Sequence, residues 1–399
     1  MLIEIILALL LGCTIGTFTG LTPGIHINLV AILTLSLLPA IYSPQTTNYL
    51  LIFITAMAIT HTFLDFIPAI FLGAPDEDTG LGTLPGHELL LFGQGHHALK
   101  LTIIGSTIAT ISLFLIVPIF LIIIPKIFPF LQRMMAFILI WAIIFLIYSE
   151  KESKTKAILI FILAGFLGLA TLNLDIKQPL LPLLTGLFGT STIIHSIKSK
   201  TIIPKQKIEK LNINKKELIK PTIATILVSP ICSFFPGLGS SQAAIIGSEI
   251  TGKLNREQFL VLLGSINTIV MSISFVTLFL IQKSRTGAAF VISQITTLST
   301  TNLITIFITI ILSTILAIPI ALTISKLIAK NIHKIPYTKI STTILIFLII
   351  IIFIFSGILG LITLAVATTI GLTCIEFQTR RSFLMGAILI PTIIFYLPF

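Results

Sequence analysis

The chain has 399 residues, 55% of them hydrophobic and 10% charged, with a mean hydropathy of +1.12. Soluble domains carry about 25% charged residues, so a soluble enzyme or a nucleic-acid-binding domain is excluded, and the net charge of +11 needs another explanation. Apolar runs of about 20 residues recur from end to end, each long enough to cross a hydrocarbon core of about 30 Å, which makes this an all-α polytopic membrane protein.

The first run, 2–21, has neither a basic n-region nor a small-residue cleavage pattern, so it reads as a retained helix and not a signal peptide. It ends on Thr22-Pro23-Gly24. Proline removes a backbone donor and glycine admits otherwise strained dihedrals, so a helix cannot run straight through such a pair. Further runs are expected over 25–41, 48–72, 98–124, 127–149, 156–175 and 179–197. Between 73 and 97 stand four acids and three histidines among many glycines and prolines, with no HExxH or CxxC spacing. That composition predicts a folded loop or re-entrant segment and no metal site.

Residues 198–220 gather Lys198, Lys200, Lys205, Lys207, Lys210, Lys215, Lys216 and Lys220 into one polar connection. Such an excess of cations marks a cytoplasmic linker, so the net charge reports topology. The linker divides a first transmembrane repeat, 1–197, from a second, 221–399, with runs at 221–235, 239–250, 257–283, 301–329, 337–357, 358–375 and 381–397. About seven runs per half, an odd number, invert the second repeat and place Lys151–Lys156, Lys326–Lys339 and Arg380-Arg381 on the linker's side. Two likenesses support the division. A second break, Phe235-Pro236-Gly237-Leu238-Gly239, echoes the first, and Gly165-Phe-Leu-Gly168-Leu reads almost letter for letter as Gly357-Ile-Leu-Gly360-Leu. Cys13, Cys232 and Cys374 each lie alone in apolar sequence and read as packing residues.

An apolar helix is expected directly after each break, carrying His26 and Asn28 in one half and Ser240, Ser241 and Gln242 in the other. A helix N-terminus offers unpaired N–H groups and about half a positive charge. Discontinuous helices in matching halves of a carrier hold an anion, typically carboxylate or phosphate, between such ends. The expected substrate-binding set is therefore Thr22, Pro23, Gly24, His26, Asn28, Pro236, Gly237, Gly239, Ser240, Ser241 and Gln242.

His61 and Asp65, at i and i+4 on one helix face, are candidates for ion coupling, with Asn267 and Thr268 in the matching run. Ionisable groups at membrane depth rarely face lipid; the alternative is a buried pair that only orients helices. Oxygen donors of this kind suit a hard monovalent cation, so Na⁺ or H⁺ is the expected coupling ion and no cofactor or metal is expected. The chain has no G-x-S-x-G, Walker or dinucleotide motif, so transport is driven by a gradient or a partner, and the protein is not expected to be an enzyme.

At these residues the chain resembles the TctA family, the large membrane subunit of tripartite tricarboxylate transporters, and especially its stand-alone archaeal members. Gly12, Gly16, Gly20, Pro23 and Gly24 resemble the glycine-rich stretch with Pro-Gly-x-Gly that opens the family's first repeat, and Pro236, Gly237 and Gly239 resemble the second. Ala74-Pro75, Thr83, Gly86 and Gly93 to Leu99 resemble the continuation of the first repeat, and Gly186-Leu187-Phe188-Gly189 a further Gly-Leu-Phe signature. The resemblance covers the whole length. It implies a carrier of two inverted repeats that works with a small membrane subunit and an extracytoplasmic binding protein. His26 stands where the family has its second glycine, and the family's Glu-x-x-Asn-Asn stretch is reduced to the Ser265–Asn267 neighbourhood. These two departures, and a third in the unusually acid- and histidine-rich 73–97 stretch, fall where the resemblance implies that substrate is read.

The expectation is a permease of the plasma membrane, in contact with lipid and able to form a homodimer, that carries a small organic anion such as a carboxylate together with Na⁺ or H⁺. Two alternatives remain open. A polyprenyl-phosphate translocase needs a site open sideways to lipid, and an intramembrane metalloenzyme needs His61, Asp65, His87, His96 and His97 to converge.

Overall fold

The computed structural model describes residues 2–22, 46–73, 83–148, 150, 153–198, 203–208, 214–234, 240–252, 254–334 and 336–397. All regular structure among them is helical. Among the described residues eight helices are long and apolar enough to cross a membrane. The first half contains α1 (Leu2–Leu21), α2 (Thr47–Leu64) with its continuation α3 (Phe66–Leu72), α4 (Thr83–Leu91), α5 (Gly95–Tyr148), α6 (Lys154–Asn173) and α7 (Leu180–Lys198). The second contains α8 (Ile219–Phe234), α9 (Ser240–Ile250), α10 (Arg256–Ile281), α11 (Gly287–Ile295), α12 (Thr300–Asn331), α13 (Tyr337–Glu376) and α14 (Gly386–Tyr396).

Two expected pairs of runs are each joined. Runs 98–124 and 127–149 form α5, a helix of 54 residues holding Pro118, Pro125 and Pro129. At 1.5 Å per residue it would measure about 80 Å if straight, enough for two crossings. Its spanning part ends at Phe130, and a shorter apolar helix, Gln132–Tyr148, follows. Runs 337–357 and 358–375 meet in α13 at Gly357, whose φ of 66° and ψ of −159° break the helix. Both arms of α13 lie along α7. Leu348 packs on Ile193, Ser356 Oγ donates to the Gln178 carbonyl, and the later Ala367 and Gly371 return to Gly186 and Leu187. The chain therefore reverses at Gly357.

The centre is built from α2–α3 and α10. The spans Thr47–Leu72 and Arg256–Ile281 have 26 residues each, and 94% of the most apolar stretch of each is buried. Each ends on a left-handed residue, Gly73 (φ 64°) and Gln282 (φ 53°). A nine-residue helix follows in both cases, α4 and α11, and then a long span, Gly95–Phe130 of 36 residues or Thr300–Lys334 of 35.

Side-chain pairs fix the directions. His97 meets Glu257 and Ser106 Oγ donates to the Gly264 carbonyl, so α5 and α10 are parallel. Thr62 meets Thr268 and Asp65 meets Asn267, so α2 and α10 are antiparallel. His96 with Ser325 and Thr110 with Thr314 make α12 antiparallel to α5. Helices of matching order and length thus run in opposite senses. Their packing is also exchanged between halves: α5 packs on α10 and α12 on α2, while α6 packs on α14 and α7 on α13.

The Gly165–Gly168 and Gly357–Gly360 likeness does not mark matching places. Gly168 lies within α6 against the Ala387 carbonyl, whereas Gly357 is a point of reversal; Gly371, packed on the Leu187 carbonyl, occupies the place in α13 that Gly168 has in α6. Gly165 and Gly168 mark close helix approach, against Ile390 and Ala387, whereas a Cβ at Gly357 would meet nothing within 4 Å and one at Gly360 only Ser356 and Ile352 of its own helix.

Part of the linker is docked onto the first half. Gln206 Oε1 accepts from the Gly95 N–H at 2.8 Å, and its Nε2 donates to the carbonyls of Leu90 and Pro204. The Lys207 N–H reaches the Gly93 carbonyl at 2.7 Å. These bonds put the start of α5 and, through His97, the start of α10 on the linker's face of the bilayer.

Candidate functional site

The site lies where α2 crosses α10, and α1 is drawn tightly against it. A Cβ at Gly12 would lie 2.5 Å from the Phe53 carbonyl oxygen and one at Gly16 2.4 Å from that of Met57, so α1 rests on the backbone of α2. The contact continues to Gly20, beside Leu64, His61 and Asp65. Three residues later comes Pro23. The first break in the sequence therefore follows a helix end that rests on the ionisable pair.

Asp65 sits at a hitch between α2 and α3. Pro68 has no N–H to return to the Leu64 carbonyl, which loosens the helix there, while the Asp65 N–H still reaches the His61 carbonyl at 3.0 Å. The Asp65 Oδ2 accepts from Asn267 Nδ2 at 2.7 Å, and the Thr62 and Thr268 hydroxyls lie 3.1 Å apart. The Thr19 hydroxyl is 3.0 Å from His61 Nδ1. His61, Asp65 and Asn267 are each 2% exposed.

All four candidates for ion coupling thus stand at one crossing, brought together across about half the chain length. A carboxylate, an amide and several hydroxyls in one buried place can hold a small cation or exchange a proton. Thr19 and Thr62 belong to this cluster but carry no sequence signal, since threonine is common in these helices.

Of the expected substrate residues, Pro23, Gly24, His26, Asn28, Pro236, Gly237 and Gly239 lie outside the described residues. Thr22 is described; its hydroxyl donates to the Phe18 carbonyl. Ser240 is buried at the start of α9, while the side chains of Ser241 and Gln242 lie outside the described set. The two arms α8 and α9 pack on each other through Gly247, Ala224 and Val228. With 16 and 11 residues they measure about 24 and 17 Å, each short of a full crossing.

The histidines of the 73–97 stretch serve separate contacts. His87 Nδ1 lies 3.2 Å from the Ile70 carbonyl, and burial pushes this imidazole below the ordinary histidine value. His96 meets Ser325, and His97 meets Glu257 at 3.0 Å, close to the Arg256–Glu88 ion pair of 2.7 Å. Among the described residues no three His, Cys, Asp or Glu side chains converge as a metal site. Cys13 and Cys374 are buried free thiols.

A feature not anticipated from sequence is the widened π-helical turn Thr185–Thr190, which contains the Gly-Leu-Phe-Gly stretch. Its Phe188 carbonyl accepts from Arg381, 6% exposed, at 3.3 Å, and Arg381 also bonds Thr192. This arginine therefore joins α7 to the start of the last helical segment as well as adding charge to the linker's face.

No solved structure matches this chain. Among curated proteins, an uncharacterized protein of Methanocaldococcus jannaschii is 30% identical over 98% of this chain and 99% of its own length. Residues 6–386 match the tripartite tricarboxylate transporter TctA family, so nearly every element described above falls within the match. With its apolar helices arranged around a buried polar crossing, the chain is a multi-pass integral membrane protein that belongs to the tripartite tricarboxylate transporter TctA family.

Proposed function

We propose that this chain is a secondary carrier for a small organic anion such as a carboxylate, coupled to Na⁺ or H⁺. The observation that carries the reading is the Asp65–Asn267 bond, a carboxylate buried at membrane depth where two central helices of opposite direction cross. Ionisable groups in such a place are costly and mark ion or proton pathways. In this reading His61, Asp65, Asn267 and Thr268 bind the coupling ion. The anion is held between the breaks after Thr22 and Phe235, with His26, Asn28, Ser240, Ser241 and Gln242 supplying hydrogen bonds.

Matching helix lengths, opposite directions and exchanged packing support two inverted repeats, 1–197 and 221–399, joined by the basic linker. The positive charge of that linker supports a cytoplasmic placement in the plasma membrane. A small membrane subunit and an extracytoplasmic binding protein are the expected partners, by analogy with the tripartite systems of the family.

The test is gradient-driven uptake of di- and tricarboxylates into proteoliposomes, with Na⁺ and pH gradients imposed separately. Gly237→Leu, which adds a side chain at the second break, is expected to abolish uptake while the protein stays folded. Undiminished uptake by that variant removes the site assignment. A thermal-shift screen of the same anions gives a second readout, because a ligand that binds only the native state stabilises it by RT ln(1 + [L]/Kd).

A further inference from the structure

A second polar cluster lies outside the central crossing, where the short 3-10 turn Arg381–Met385 meets α7. Two neighbouring arginines behave differently there. Arg380 keeps its side chain 30% exposed and pairs with Glu150 at 3.6 Å, as a charge placed for topology would. Arg381 is buried, and its Nη1 reaches inward to the Phe188 carbonyl at 3.3 Å and to the Thr192 hydroxyl. In α7 these acceptors precede the end at Lys198 by ten and six residues, or about 15 and 9 Å along the helix. The guanidinium is therefore held at membrane depth, where a charge without a counter-ion is costly.

Both hydrogens of Nη1 are directed at neutral oxygens. Nη1 is the nitrogen on the Cδ side, so the opposite edge, Nε–H with Nη2–H, is the one that grips a carboxylate or phosphate through two parallel bonds. Among the described residues nothing accepts from that edge, and no carboxylate pairs with Arg381. The adjacent Ser382 hydroxyl, 2% exposed, also has no hydrogen-bond partner among the described residues. Buried polar groups left in this way call for a ligand or ion. Nor does the arginine rescue groups that would otherwise be orphaned, because the Thr192 hydroxyl itself donates to the Phe188 carbonyl. Phe188 belongs to the π-helical turn Thr185–Thr190, a distortion frequent at functional sites.

We infer that Arg381 is an oxyanion-binding residue, whose Nε–Nη2 edge takes a carboxylate or phosphate in a bidentate grip beside the π-helical turn. That chemistry has two sources, a small soluble anion and the headgroup of an anionic lipid. The site uses none of the residues of the two breaks and does not rest on the carrier reading.

The experiment follows the melting temperature of the full-length protein at matched ionic strength in chloride. The soluble probes are citrate and inorganic phosphate; the lipid probe is phosphatidylglycerol added to phosphatidylcholine nanodiscs. The parent should gain stability with at least one probe, rising as RT ln(1 + [L]/Kd). A response to the soluble probes identifies a free ligand, and a response to phosphatidylglycerol alone a lipid headgroup. Gly237→Leu, which disables the proposed carrier site, should retain the response, so the two readings fail separately. In that background Arg381→Met should remove it. In probe-free chloride Arg381→Met should be no less stable than the parent, since it withdraws a buried charge and leaves Thr192 bonded to Phe188. Arg381→Lys keeps the charge without the fork and should need roughly tenfold more probe. A parent that responds to no probe, or a response that Arg381→Met retains in full, overturns the proposal. If the methionine variant does not fold, an undiminished response in Arg381→Lys overturns it equally.

Discussion

The spans Thr47–Leu72 and Arg256–Ile281 agree in length, burial and left-handed end, yet they bring different chemistry to the crossing. One contributes His61 and Asp65, the other Asn267, Thr268 and further hydroxyls. Two carboxylates facing one another in so dry a place could not both stay ionised. An amide opposite a carboxylate donates to it and leaves a single carboxylate at the crossing. The peripheral α13 shows the other extreme, with only 28% of its most apolar stretch buried. The likeness of the two central spans thus lies in length, burial and left-handed end, while the carboxylate at their crossing belongs to one of them alone.

The largest expected effect comes from removing that charge. Asp65→Asn replaces a charge-assisted hydrogen bond, worth about 1.5–3 kcal/mol, by an amide pair, and gradient-driven uptake should fall roughly 10- to 100-fold. Asp65→Asn/Asn267→Asp moves the carboxylate to the other central helix. If the crossing needs one carboxylate and one amide irrespective of side, the double variant recovers at least part of the uptake lost by the single one. No recovery would show that the distinction between the helices is functional as well as historical.

Much of this centre was legible in the sequence. The runs 48–72 and 257–283 differ from the observed spans by at most two residues at any end, because polar residues bracket them sharply. His61 and Asp65 stand out as the ionisable residues of that run, and Asn267 follows from the matching place in the second half. The direct Asp65–Asn267 contact was not legible, since it depends on where two helices cross. Gln206 was hidden by its setting, a lysine-rich stretch whose composition reports topology and says nothing of docking. The Gly-x-x-Gly likeness misled because the same spacing serves a close helix approach at Gly165 and Gly168 and a reversal of the chain at Gly357.

Helix approach supplies the next effect. A Cβ at Gly105 would come 2.0 Å from the Val261 carbonyl oxygen, so α5 and α10 must separate to accept it. Gly105→Ala should destabilise the protein by about 1–3 kcal/mol, read as a lower melting temperature in detergent. Gly189→Ala is the contrast, because its nearest neighbour would be 3.7 Å away; it should leave stability unchanged or slightly raised. Equal losses in both variants would remove the claim that close backbone packing holds α5 against α10.

Gln206→Ala tests whether the linker belongs to the first half as firmly as its bonds imply. It leaves the buried Gly95 N–H without its acceptor, a cost of about 1–3 kcal/mol. The readout is local: trypsin should cut after Lys205 or Lys207 several-fold faster than in the parent protein. An unchanged cleavage rate would mean that the docked segment is already released most of the time.

The smallest effect is expected at the hydroxyl pair of Thr62 and Thr268, 3.1 Å apart. Valine matches threonine in shape, so Thr62→Val removes the bond without opening a cavity, and polar pairs between membrane helices average about 0.6 kcal/mol. Thr62→Val should lower stability by about that much, because it leaves the buried Thr268 hydroxyl without this partner; Thr268→Val should cost less, because the Thr62 hydroxyl still donates to the Ile59 carbonyl at 2.9 Å. In Thr62→Val/Thr268→Val both hydroxyls are gone, and the double variant should be no less stable than Thr62→Val alone. That non-additivity is the signature of a direct pair, and strict additivity in the cycle would show that α2 and α10 are held together by packing alone, with the polar crossing kept for its chemistry.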